Sequence, residues 1–293
     1  MKLALKIDVD TLRGTEEGVP RLAELLKKHG AGATFLFSLG PDHTGRAMRR
    51  VFRPGFFSKV SRTSVLEHYG VRTLLYGTLL PGPDIGRRCA QVMRAVRDDG
   101  FEVGVHCWDH VRWQDFVVRR DAGWTEREME RATRRFHEVF GGPARTWGAA
   151  GWQLNRHAAW YEEQHFAYAS DTRGSRPFRP LWDGVAIGCP QLPTTLPTLD
   201  ELIGLHEDVV QQLLSRTGNG DHVFTAHAEL EGGRLMPMFE ALLAGWKVQG
   251  YEIVALEALY RTLDLARLPR CEVVQGTVPG RSGTLAVQQE IRA

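Results

Sequence analysis

The chain has 293 residues, of which 43% are hydrophobic and 25% charged, enough to bury one large core or two modest ones. A net charge of +2 is too small to argue for a nucleic acid partner, and no stretch approaches the ~18 uninterrupted apolar residues of a membrane span. Cys89, Cys107, Cys189 and Cys271 are widely spaced without a C-x-x-C pair, so neither a zinc ribbon nor a disulfide framework is suggested, and the spacing suits reduced cytosolic thiols.

The opening KLALKID reads as a strand; its apolar run is broken by Lys6 and Asp8 and so cannot serve as the centre of a secretory signal. TEEGVPRLAELLKKHG follows, with Val19, Leu22, Leu25 and Leu26 on one helical face, a basic last turn and a stop at Gly30. GATFLFS is a buried strand. Residues 41–83 then stand where a short βα connection belongs. The rhythm resumes with DIGRRCAQVMRAVRDDG as helix and FEVGVH as strand. A helix from Thr125 is next, its Thr-x-x-Glu capping box closing on Glu128 and its face formed by Met129, Ala132, Phe136 and Val139. Shorter strands are expected at RTWGA, FAYAS and VAIG, followed by DHVFTAHA, a helix around MPMFEALLAGWKVQG, and YEIVA. The polar residues 268–293 are expected to be a poorly ordered tail. Strands alternating with helices imply a parallel sheet, and about seven repeats predict an α/β domain over residues 1–267 built as a distorted (β/α)7-type barrel.

Asp8 and Asp10 share a face at the C-terminal end of the first strand, which in such a barrel is the catalytic rim. Two acids alone would equally suit a helix cap or a turn with Thr11. The second cluster is VGVHCWDHVRW, where His106 and His110 lie four apart after a strand. A helical turn there would bring both imidazoles onto one face, as two ligands of one ion require. One aspartate and two histidines make a three-ligand divalent site with open positions, acceptable to zinc, cobalt or manganese. His227 in HVFTAHAELEGG reaches the same rim, although a histidine at a strand end is as readily a satisfied structural group. Asp171 in YASDTRG is ambiguous in the same way.

Taken in order, IDVDT, HCWDH, SDTRG and FTAHAE resemble the motif series of the polysaccharide deacetylase superfamily, the nodulation-deacetylase-like metal hydrolases, over roughly residues 1–260. More closely, LKIDVDTLRGT, HCWDHVRWQD, GAAGWQLN, LPTTLPTLDELIG and HAELEGG look like its branch that deformylates 4-deoxy-4-formamido-L-arabinose-phosphoundecaprenol in lipid A modification. The resemblance implies Asp8 as general base, Asp10, His106 and His110 as ligands of one divalent metal ion, and His227 as general acid. It also implies a polyprenyl-phosphate-linked amino sugar as substrate, with Arg13, Trp108, Trp152, Asp171 and Glu229 as substrate contacts. The pattern departs at RTWGAAGWQLN, where most deacetylases carry an Arg and a Pro beside the base. Arg145 is nearby but does not match that position.

Within residues 41–83, Arg46, Arg49, Arg50, Arg53, Lys59 and Arg62 precede the first acid of the run GRAMRRVFRPGFFSKVSRTSVLEHYG, Glu67, and are interleaved with large apolar residues. Such a mixture suits an amphipathic surface against an anionic bilayer, and equally a packed helical pair with a solvated basic face. A lipid-linked substrate favours the bilayer. Arg46, Arg49, Arg50, Phe52, Arg53, Phe56 and Phe57 are therefore expected membrane contacts of a cytoplasmic protein held at the inner face of the inner membrane. Two alternatives remain: an N-deacetylase of soluble amino-sugar oligomers, and a non-catalytic carbohydrate- or lipid-binding barrel. The second should have lost the base or a ligand, whereas Asp8, Asp10, His106, His110 and His227 are all present.

Overall fold

In the computed structural model, which describes residues 1–47 and 65–290, strand β1 (Lys2–Val9) is the axis of the fold. Both its faces are buried. Leu3, Leu5, Ile7 and Val9 join the main apolar core, while Ala4 belongs to a second cluster on the opposite face, the side that Lys6 and Asp8 share. Parallel to β1 run β2 (Thr34–Ser38) on one side and β8 (His222–His227) on the other. Beyond β2 come β3 (Glu102–Cys107), β4 (Thr146–Trp147) and β5 (Tyr168–Ala169), and β9 (Glu252–Val254) pairs with the first residues of β1. The outer layer includes α1 (Val19–Lys28), α2 (Ala90–Asp98), α3 (His110–Phe116), α4 (Ala122–Phe140), α5 (Arg156–His165), α6 (Val209–Arg216) and α7 (Met236–Val248).

This seven-stranded parallel sheet is curled but not closed by strands. Residues 190–196 bridge its edges instead. Leu192 N–H donates to Ala169 O at 2.8 Å beside β5, and Thr195 N–H donates to Val223 O at 3.0 Å beside β8. Prolines at 190, 193 and 197 keep this stretch irregular, so it lacks the alternation of a strand.

Register makes the barrel interior a set of levels. Ala4 pairs with Val223, Lys6 with Thr225 and Asp8 with His227. The lowest level is apolar, with Ala4, Tyr168, Leu192, Val223 and Val254 packed together. Lys6 and Thr225 form a polar middle, and Asp8 and His227 open the C-terminal rim. Glycine makes room at the middle level: a Cβ on Gly148 would stand 2.3 Å from Leu36 Cδ1 and 3.4 Å from Lys6 Nζ.

Three local expectations need correction. Helix α4 starts at Ala122, capped by the Asp121 carboxylate that accepts from Trp124 N–H, while Thr125 lies inside the first turn and donates to Asp121 O at 3.0 Å. The aspartate wins because it is a strong cap placed one turn earlier. VAIG supplies β7 (Val185–Ala186), which belongs to a separate four-stranded sheet with β6 (Arg179–Trp182), β10 (Arg270–Gly276) and β11 (Leu285–Glu290). Of the expected tail at 268–293, residues 291–293 lie outside the described residues, and the rest is not loose: β10 and β11 form an antiparallel hairpin that buries Cys271, Val273, Leu285 and Ala286. Arg173 N–H donates to Ala286 O at 2.9 Å, tying the hairpin to the barrel.

The excursion after β2 leaves and returns at one point, where Pro41 bridges Asp84. Arg46 is exposed and its Nε donates to Gly77 O at 2.9 Å. Arg49, Arg50, Phe52, Arg53, Phe56 and Phe57 lie outside the described residues. Among those described, no helix is long and apolar enough to cross a membrane.

Candidate metal centre

The rim of β1, β3 and the start of α3 brings together three of the residues singled out from sequence. Asp10 follows β1, His106 lies in β3, and His110 is the first residue of α3. The histidines do not meet as successive turns of a helix. A strand, a short turn and a helix capped by Asp109, which accepts from Arg112 N–H at 3.1 Å, bring their ring centroids to 5.3 Å. Asp10 stands between them: Oδ1 is 3.2 Å from His106 Nε2, and Oδ2 is 3.3 Å from His110 Nε2. One ligand atom from each of the three lies within 4.8 Å of the others.

The donor set fits a cation. His106 Nδ1–H donates to the Gly148 carbonyl at 2.6 Å, which assigns the lone pair of a neutral ring to Nε2. That lone pair then faces a carboxylate oxygen 3.2 Å away, and two acceptors so placed repel unless a proton or a metal ion lies between them. Burial alone would raise the Asp10 carboxyl. The His110 and His106 charges overcome it and hold Asp10 well below the usual carboxylate range. His106 moves the other way: burial opposes its charged form, but Asp8 and Asp10 raise it. An aspartate and two imidazoles, one steered by a carbonyl, suit a single divalent ion.

Asp8 and His227 flank this cluster from adjacent strands, in direct register. Asp8 is buried, with Oδ1 3.8 Å from His106 Nδ1 and Oδ2 3.4 Å from Lys6 Nζ. His227 presents its ring to the edge of Trp152 at 6.2 Å, and its Nδ1 is buried without a hydrogen-bond partner.

The five expected substrate contacts fare differently. Arg13 lines a pocket of about 290 Å³ with Arg21 and Arg234, which shares Glu229 with the wall of the acid–histidine cluster. Glu229 is buried, and Oε1 accepts from Asp10 N–H at 3.0 Å and from Thr11 N–H at 2.8 Å, so it holds the loop after β1. Burial, then the nearby Asp10, push its carboxyl well above the usual range. Gly14 permits this approach, since a Cβ there would fall 2.0 Å from Glu229 Oε1. Trp108 packs on Gly40 and under the Arg135 guanidinium, 5.3 Å from its ring.

Trp152 is no exposed sugar platform. It is 2% exposed, adopts φ 53°, and donates Nε1–H to Thr194 Oγ1 at 3.1 Å. Arg173 and Arg281 stand over the ring at 5.1 and 4.8 Å. Asp171 is fully buried; it accepts from Ala149 N–H at 2.6 Å and from Gln191 Nε2 at 2.7 Å. It follows β5, which is only two residues long, as the sequence motif led one to expect of a strand end, but its side chain is enclosed.

Burial pushes Asp171 up to about 6, and burial together with Asp171 raises Glu162 well above the carboxylate range. A carboxyl raised on folding contributes stability at low pH that is lost as pH rises through its folded value. Glu162→Gln is therefore expected to raise the melting temperature by several degrees at pH 8 and by less at pH 5. Calorimetry at the two pH values checks it, and an equal shift at both would contradict the raised carboxyl.

Two supports of the site were not foreseen. Asp42 Oδ2 accepts from Leu12 N–H at 2.9 Å, and His43 Nδ1 lies 2.6 Å from Asp109 Oδ2, so PDHT after β2 braces both the β1 loop and the cap of α3. The visible signal was a turn sequence rich in polar side chains directly after a buried strand.

The chain is similar to known proteins in sequence and in fold. A profile described as polysaccharide deacetylase matches residues 3–166. A protein of Shewanella sediminis (strain HAW-EB3) named "Probable 4-deoxy-4-formamido-L-arabinose-phosphoundecaprenol deformylase ArnD" is 36% identical, the match covering 98% of this chain and 94% of that one. A protein of the same name from Wigglesworthia glossinidia brevipalpis is 31% identical over 95% of this chain and 99% of its own. Among solved structures, a Mycobacterium smegmatis protein assigned to the polysaccharide deacetylases shares the fold, with a TM-score of 0.62 at 15% identity over 94% of this chain and 95% of that one.

Proposed function

The chain belongs to the polysaccharide deacetylase family, and from that premise we propose that it removes the formyl group from 4-deoxy-4-formamido-L-arabinose-phosphoundecaprenol, releasing formate and the 4-amino sugar. The observation that carries the reading is near-full-length similarity to two relatives bearing that activity in their names, together with an intact acid–histidine cluster. Asp10, His106 and His110 would hold one divalent ion of the zinc, cobalt or manganese type. Bound there, such an ion supplies Lewis-acid polarisation of the amide carbonyl and lowers the pKa of water. Asp8 takes a proton from the water that attacks the formyl carbon. His227, on the neighbouring strand, gives a proton to the sugar nitrogen as the C–N bond breaks, because an unprotonated amine is a poor leaving group. His106 keeps its orientation throughout through the Gly148 carbonyl.

The substrate's phosphodiester suits the pocket of Arg13, Arg21 and Arg234, beside the loop that carries Asp10. Its lipid keeps the reaction at the membrane, and the run with Arg46, Arg49, Arg50, Phe52, Arg53, Phe56 and Phe57 would dock the protein on the anionic inner face of the inner membrane. One experiment tests both. A synthetic formamido-sugar phosphoprenol is presented in anionic vesicles. Formate release, with protein recovered in the vesicle pellet, is expected. Turnover of N-acetylated amino-sugar oligomers but not of this substrate would install the soluble-oligomer deacetylase instead, and activity without sedimentation would remove the docking surface.

A further inference from the structure

Lys6 is the most unusual side chain in the barrel. It is charged, fully buried, and one level beneath Asp8 on the same face of β1. An ammonium taken out of water is costly unless its charge is paired and its protons have acceptors. Lys6 Nζ donates to Ser170 O at 2.8 Å and stands 3.4 Å from Asp8 Oδ2. Its surroundings fix it from the other sides. The Trp152 ring centroid is 5.4 Å away, a Cβ on Gly148 would stand 3.2 Å from its Cε, and Asp171 supplies a second negative charge. Ser170 is itself anchored, its N–H donating to Trp147 O at 2.8 Å. No step of the hydrolysis described above touches Lys6.

Its effect falls on the two oxygens of Asp8. Oδ2 faces the ammonium, whereas Oδ1 is buried with no hydrogen-bond partner. His106 Nδ1, 3.8 Å from that oxygen, gives its hydrogen to Gly148 instead. A carboxylate tethered by one oxygen keeps the other available in a single orientation.

We propose that Lys6 is the positioning residue of the general base: it holds Asp8 by Oδ2 and leaves Oδ1 to receive the proton of the attacking water. The position is economical, because residues two apart on a strand share a face and the tether needs no second loop to be in place.

The inference rests on Asp8 being the base. Its test compares metal-loaded wild type and Lys6→Met on whichever simple amide, formyl or acetyl, the wild type hydrolyses, so a wrong substrate assignment changes the substrate and not the ratio. Lys6→Met is expected to keep one metal ion per chain and a KM within about twofold, and to lose about 10- to 100-fold in kcat, the scale of a misplacement near 1 Å. Because removing the charge can also weaken the fold, Lys6→Ala is assayed with added propylammonium. Saturable recovery with the amine, and none with propanol, is expected. Wild-type kcat in a folded, metal-loaded Lys6→Met, loss of the ion, or no recovery with the amine would each overturn the proposal.

Discussion

Asp8→Asn is expected to retain its metal ion and to lose two to four orders of magnitude in kcat, the usual contribution of a positioned general base. Two acids at one strand end invite the opposite assignment, and the geometry separates them. Asp10 touches both histidine Nε2 atoms, at 3.2 and 3.3 Å, whereas Asp8 meets His106 at Nδ1, at 3.8 Å, on the side already bonded to Gly148. Asparagine keeps the shape and removes the basic oxygen. It also leaves the Lys6 ammonium with one fewer partner, so the melting temperature should fall somewhat. Metal analysis of the purified variant beside its kcat is the measurement; an empty Asp8→Asn would make Asp8 a ligand.

His227→Ala is expected to bind metal and substrate normally and to lose two to four orders of magnitude on amides. The loss should be largely recovered on a formyl ester of similar size, whose alkoxide leaves with less help than an amine. The environment of His227 supports a group kept for its proton. Its backbone N–H donates to Glu231 Oε2 at 2.7 Å, its ring meets the edge of Trp152, and its Nδ1 has no hydrogen-bond partner. Glu231 is pushed up to about 7, burial raising it and the His227 charge pulling it back. Rates on matched amide and ester substrates decide the point, and equal losses on both would make His227 structural.

Much of the barrel was legible because its strands are buried on both faces and read as continuous apolar runs. β1, β2, β3 and β8 announce themselves in this way, and the helices between them carry period-3.6 faces such as Val19, Leu22, Leu25 and Leu26. The acid and histidine motifs were legible for the same reason, since each sits where such a run ends. Three kinds of feature were not. Residues 190–196 complete the wall through backbone hydrogen bonds that impose no side-chain pattern. The β10–β11 hairpin buries few residues among glutamines and glutamates, so its alternation is faint. Lys6 looks in sequence like an interruption of an apolar strand, and only the fold discloses that the interruption faces Asp8, Ser170 and Asp171. Glu229 and Trp152 belong to the neighbourhood of the site, and both are buried. Tertiary packing turns both inward, where one secures a loop and the other lies against His227.

The position of β1 has a consequence for how the chain is made. It precedes every other strand of its sheet in sequence, yet its neighbours in the finished sheet include β8 and β9, more than two hundred residues later in the chain. Until they arrive, a nascent segment carrying Leu3, Leu5, Ile7 and Val9 has one side unclaimed, and Lys6 waits for the carbonyl of Ser170. Such sequence-distant pairing delays productive folding and prolongs the time in which an apolar edge can stick to another chain. The same charges that serve the finished site act as gatekeepers during that interval, because a strand that must bury an ammonium and a carboxylate together stacks poorly with copies of itself.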